Sequence, residues 1–115
     1  MTLKECYEAL EGDYENVLSR LMTEKLVNKF AVKFLNDKSY NNLVDSLKAE
    51  NIDEAFRAAH TLKGVCQNLS FTKLYESSHD MTETLRENDI AKANELLPKV
   101  EADYLQTISA IKNLD

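Results

Sequence analysis

The chain has 115 residues, enough for one domain around a single modest core and too few to include a nucleotide-binding kinase domain as well. Two glycines and one proline leave little material for the tight turns of a sheet protein, and a net charge of −6 argues against nucleic acid or an anionic membrane surface as partner. The start, MTLKECYEAL, lacks the basic and apolar regions of a signal peptide, and no apolar run approaches the roughly 20 residues that span a bilayer.

The helices announce themselves by their caps. TLKE is a capping box, with Thr2 as cap and Glu5 reaching back; Gly12 is expected to end this short helix and Asp13 to cap the next. From Val17 the apolar residues Leu18, Leu21, Met22, Leu26, Val27, Phe30 and Phe34 keep helical spacing, either broken near Thr23 or continuous to about Leu35. NDKS is a polar turn whose Ser39 can cap a helix carrying Leu43, Val44 and Leu47. NIDE, from Asn51 to Glu54, is a second capping box and opens a helix running to about Leu69. Ser70 is expected to cap a helix with Leu74, Met81 and Leu85 on one face. Asp89 should cap the last helix, from Ile90 to Ile111, with Pro98 inside it as a kink or a split. No strand signal competes. Short polar turns make sequential helices antiparallel, so the expected fold is all-α: an up-and-down four-helix bundle with one or two extra short helices, one domain over residues 1–115.

The helix from Asn51 raises a functional question, because AAHTLKG places a glycine inside it. A mid-helix glycine costs about 1 kcal/mol relative to alanine, and this chain has only one other glycine. At about 100° per residue, Ile52, Ala55, Phe56, Ala59, Leu62, Cys66 and Leu69 form one apolar stripe, and His60 falls roughly 120° from its centre. Gly64 lies further round, towards solvent. A residue at i+4 is a neighbour on the same face, so the missing side chain of Gly64 opens space beside the imidazole. Lys63 can bring an ammonium to the same place, and Arg57, one turn earlier, is a second possible cation. A neutral imidazole with room beside it and cations nearby suits a phosphoryl group arriving at a ring nitrogen. An exposed histidine is more often idle; the glycine is the feature that reading handles badly.

These residues resemble the signature of histidine-containing phosphotransfer (HPt) domains, His-x-x-Lys-Gly after small residues. The flanking NKFAVKFLND…NNLVDSLKAENIDEAFRA and NLSFTKLYESSHDMTETLRENDIAKANELL fit that family's helix lengths and turns, so the resemblance covers roughly Leu10 to Leu114. It implies a four-helix bundle that carries a phosphoryl group between receiver domains in a multistep phosphorelay of two-component signal transduction. It implies His60 as the phosphorylated residue, Lys63 beside the phosphate, Gly64 as the residue that keeps the imidazole accessible, and Gln67 as a contact to phosphate or partner. The carrier would have no cofactor of its own, with Mg²⁺ on the receiver, and would not be an enzyme in the ordinary sense. Its partners would be receiver domains of response regulators or of a hybrid histidine kinase. One departure is visible: the family usually has glycine after the leucine that ends this helix, and here it is Ser70.

Two other readings stay open: an all-helical interaction module without phosphotransfer, and a phosphotransfer domain fed directly by a histidine kinase. The start at Met1 and the complete bundle favour a free-standing protein, and a monomer is expected. Cys6 and Cys66 lack CxxC spacing and read as reduced thiols of a cytoplasmic protein. Glu76 and His79 have Glu-x-x-His spacing, but a di-iron bundle site needs two such motifs. No metal site is therefore expected; His79 is read as a solvated surface residue, and Tyr75 and Ser78 as helix-packing positions. No Gly-rich phosphate loop indicates an ATP site.

Overall fold

The computed structural model describes residues 1–115. It contains seven α-helices and no strand: α1 (Leu3–Leu10), α2 (Tyr14–Leu21), α3 (Glu24–Lys33), α4 (Ser39–Lys48), α5 (Ile52–Leu69), α6 (Thr72–Arg86) and α7 (Ile90–Lys112), with a 3-10 turn at Phe34–Asn36 between α3 and α4. No helix is long and apolar enough to cross a membrane.

Most helix starts follow local side-chain chemistry. The Glu5 N–H donates to Thr2 Oγ1 at 3.1 Å and the Thr2 N–H to Glu5 Oε1 at 2.8 Å, a complete capping box. Asp13, Thr23, Asn51 and Asp89 each accept a backbone N–H three residues on. Thr23 therefore settles the choice left open in the second segment: the chain breaks there, after Met22 with φ of 77°.

Several expectations are corrected. The chain has three short amino-terminal helices, not one or two. Ser39 is not a cap: its N–H donates to Asp37 Oδ1 at 2.8 Å, so the aspartate is the acceptor and Ser39 lies in the first turn. The box at Asn51 is half made, because the Glu54 carboxylate takes the Arg57 guanidinium at 2.7 Å. Ser70 closes α5 instead of opening α6; it is left-handed (φ 56°), and its hydroxyl donates to Asn16 Oδ1. Of the two outcomes expected at Pro98, a kink or a split, the split is excluded, because α7 stays helical from Ile90 to Lys112. The carbonyl it deprives of a partner belongs to exposed Asn94, while Ala93 and Val100 are buried in the core on either side.

Helices α4 to α7 are joined by connections of two or three residues and pack in chain order, α4 on α5, α5 on α6 and α6 on α7, with α3 and α4 closing onto α7. Lys73 at the start of α6 donates to Gln106 near the end of α7, as antiparallel neighbours should. α1 runs back along α7: Gln106 Nε2 donates to the Ala9 carbonyl, and the amino-terminal ammonium meets the Asn113 carbonyl. At one end of the bundle an aromatic chain, Tyr7–Phe71–Phe34–Tyr104–Tyr40, links α1, the α5–α6 connection, the 3-10 turn, α7 and α4.

That end also fastens α5. A helix leaves its last carbonyls without intrahelical partners, and here the amino-terminal helices supply them. Arg20 donates to the carbonyls of Gln67 (2.7 Å) and Asn68 (2.6 Å), the Tyr7 hydroxyl to Leu69 O (2.8 Å), and the Asp13 N–H to Ser70 O (2.8 Å). The turn that makes this approach holds Gly12. A Cβ there would lie 2.6 Å from the Ser70 carbonyl oxygen and 2.8 Å from Leu10 Cδ1. The left-handed residue after α1 is Glu11, so Gly12 serves close approach and not helix termination.

Candidate functional site

The apolar stripe of α5 is in the core as its spacing requires: Ala55, Ala59, Leu62, Cys66 and Leu69 are buried, and Ala58 joins them. Ile52 and Phe56, at the stripe's leading end, are only half-buried. His60 is exposed, on the outer flank, as the helical angle predicts. Neither of its ring nitrogens makes a hydrogen bond within the protein, and its ring lies nearly parallel to that of Phe56, with centroids 5.9 Å apart and planes at 13°.

The space beside it is open. A Cβ built on Gly64 meets nothing within 4 Å. Lys63, one turn after His60, is half-buried and takes part in none of the five ion pairs of the chain, so its ammonium is uncommitted. Arg57 is different: its guanidinium is engaged by Glu54, and it borders a polar groove between α4 and α5 with Asp45 and Thr61. By helical angle it lies on the opposite side of His60 from Lys63. The exposed Gln67 continues the His60 face; its side-chain amide has no partner within the protein, while its carbonyl takes Arg20 and the Ser70 N–H.

The sequence alone did not single out Arg86. At the end of α6 its guanidinium carbon lies 5.0 Å from the centroid of the Phe56 ring, and its Nε donates to Glu83 at 3.2 Å. A basic residue in the last turn of a helix was the only local signal; its approach to Phe56 needs the antiparallel pairing of α5 and α6.

The other reactive side chains are set apart. Cys66 is wholly buried, and burial pushes its thiol upward, as it pushes that of Cys6 to about 11. Neither offers a thiolate near neutrality. His79 is not a solvated surface residue as expected: it is half-buried against Tyr75 (6.0 Å, 23°), and its Nδ1 is buried without a partner. Ser78 is fully buried, a packing position as expected. No three His, Cys, Asp or Glu side chains converge as metal ligands.

The site is thus an exposed imidazole at mid-helix, with an open surface on one side, an uncommitted ammonium nearby and a planar aromatic partner. Neither the curated proteins nor the solved structures yield a match to the chain. The family model described as "Hpt domain" matches residues 36–113, from the 3-10 turn through the whole of α7 and including the His60 helix. That match takes in more than half of the chain, which therefore belongs to the Hpt domain family, the histidine phosphotransfer modules of phosphorelays.

Proposed function

We propose that His60 carries a phosphoryl group between receiver-domain aspartates in a multistep phosphorelay. The observation that carries this reading is the pairing of an exposed imidazole with the open surface at Gly64, inside the helix that the family match spans. In the forward step, a lone pair of the neutral imidazole forms the N–P bond as the P–O bond to the receiver's carboxylate breaks. The electron pair leaves on that carboxylate, and the other ring nitrogen keeps its proton. Transfer of this kind asks mainly for alignment and charge neutralisation. Lys63 supplies a cation on the carrier, the exposed Gln67 and the glycine surface supply room for docking, and Arg57, held by Glu54, has the lesser part. The receiver supplies the acyl phosphate and its Mg²⁺; the carrier has no cofactor of its own and works as a monomer in the cytoplasm.

The test is incubation with a phosphorylated receiver domain. Label that is stable to base and lost in acid, present on the parent and missing from His60→Gln, supports the reading. Label on the His60→Gln protein, or none on the parent with any receiver offered, removes it.

A further inference from the structure

We propose that Phe56 is a positioning residue for His60, setting the plane of the imidazole and with it the line along which the phosphoryl group travels. This rests on the reading of His60 as the carrier. The lone pair of an imidazole nitrogen lies in the ring plane, so an in-line attack is only as well aimed as that plane. An exposed histidine on a helix would ordinarily turn about its terminal torsion over a broad range. Here a parallel ring stands one turn earlier, 5.9 Å away at 13°, within the separation at which offset aromatic pairs attract.

Phe56 is itself held. It sits at the edge of the apolar stripe, half-buried, and the Arg86 guanidinium lies over its ring at 5.0 Å. Glu83 fixes that guanidinium in turn, at 3.2 Å. The support for the imidazole therefore comes from two helices: Phe56 on α5, and Arg86 with Glu83 on α6. A phenylalanine serving the core alone would not need a guanidinium over its ring and an imidazole parallel to it. A leucine would fill the same edge of the stripe with a helix propensity at least as good, but it has no flat face to offer.

The experiment compares the parent with Phe56→Leu, Phe56→Tyr and Arg86→Gln. Proton NMR of the unphosphorylated proteins reads the ring-current shift of the His60 ring protons, with no receiver present. Single-turnover transfer from a phosphorylated receiver, over a range of receiver concentrations, separates the maximal rate from the half-saturating concentration. In Phe56→Leu the His60 ring protons should lose their shift, and the maximal rate should fall about tenfold, with the half-saturating concentration unchanged. Phe56→Tyr, which keeps the ring, should restore both. Arg86→Gln, at an exposed position, should weaken the shift and lower the maximal rate severalfold; it carries the test if the leucine protein does not fold. A full maximal rate in Phe56→Leu, a loss confined to the half-saturating concentration, or failure of tyrosine to rescue would each overturn the proposal. So would an unchanged rate in Arg86→Gln. A parent protein that accepts no phosphoryl group sinks the carrier reading instead, and the NMR comparison records that case separately.

Discussion

The two glycines of the chain stand in opposite surroundings. At Gly12 the turn between α1 and α2 presses onto the end of α5, and an added Cβ would meet the Ser70 carbonyl oxygen at 2.6 Å; at Gly64 it would meet nothing within 4 Å. Neither has the positive φ that reserves a position for glycine. The first glycine is thus explained by packing inside the protein. The second is explained by nothing inside it, although it costs about 1 kcal/mol of helix propensity. A position that gives up stability without an internal reason points outward, and the exposed imidazole one turn before it says towards what.

The sharpest test of that contrast is His60→Gln, which should abolish phosphoryl acceptance while leaving the thermal melt within about 0.5 kcal/mol of the parent, as for most exposed substitutions. His79→Gln should keep full labelling. Next in size is Gly64→Gln. A long side chain one turn from His60 should cut transfer by about a hundredfold, the scale of a misplaced reaction geometry, in a protein that stays folded. Transfer at the parent rate would mean that access is not why the glycine is there.

Gly12→Ala should do the reverse. Overpacking against a backbone carbonyl costs about 1 to 3 kcal/mol, seen as a lowered midpoint in urea, while transfer per folded molecule is preserved. An unchanged midpoint would remove the packing explanation and with it the contrast. Lys63→Ala should slow transfer about tenfold, the worth of one charge-assisted contact of about 1.4 kcal/mol, without abolishing it; parent kinetics would take the lysine out of the site. The smallest effect is expected of Gly64→Ala. Alanine is the better helix former by about 1 kcal/mol and meets no atom, so the melting temperature should rise by a few degrees. A fall would show that the glycine has a structural task after all.

The candidate site was legible to the extent that it lies on one helix. His60 on the exposed flank, Lys63 and Gly64 beside it, and the buried run Ala55, Ala59, Leu62, Cys66 and Leu69 all follow from a period of 3.6 residues. What that period cannot reveal is the state of a charge. Arg57 and Lys63 look like equivalent cations around His60, yet Arg57 is spoken for by Glu54 and Lys63 is not. Phe56 illustrates the same limit: it belongs to the apolar stripe by angle, but its half-exposed ring lies beside Arg86, thirty residues further on. Nor does the period show that His79, beside the apolar face of its helix, has its ring against Tyr75 and its Nδ1 enclosed.

Serines show where local chemistry stops deciding. Thr2, Asp13, Thr23, Asn51 and Asp89 cap helices because the acceptor and the N–H it serves are three residues apart, close before any tertiary contact forms. Sequence by itself therefore determined where the helices after Thr2, Asp13, Asn51 and Asp89 begin, and with them the all-α class and the outward face of α5, while the break at Thr23 stayed one of two readings. Ser70 has the same local talent and uses it otherwise. The end of α5 leaves carbonyls that Arg20, Tyr7 and Asp13 reach from some fifty to sixty residues away, and Asn16 takes the serine hydroxyl. Only the tertiary structure could decide that Ser70 closes one helix instead of opening the next, since the groups that decide it are adjacent in space alone.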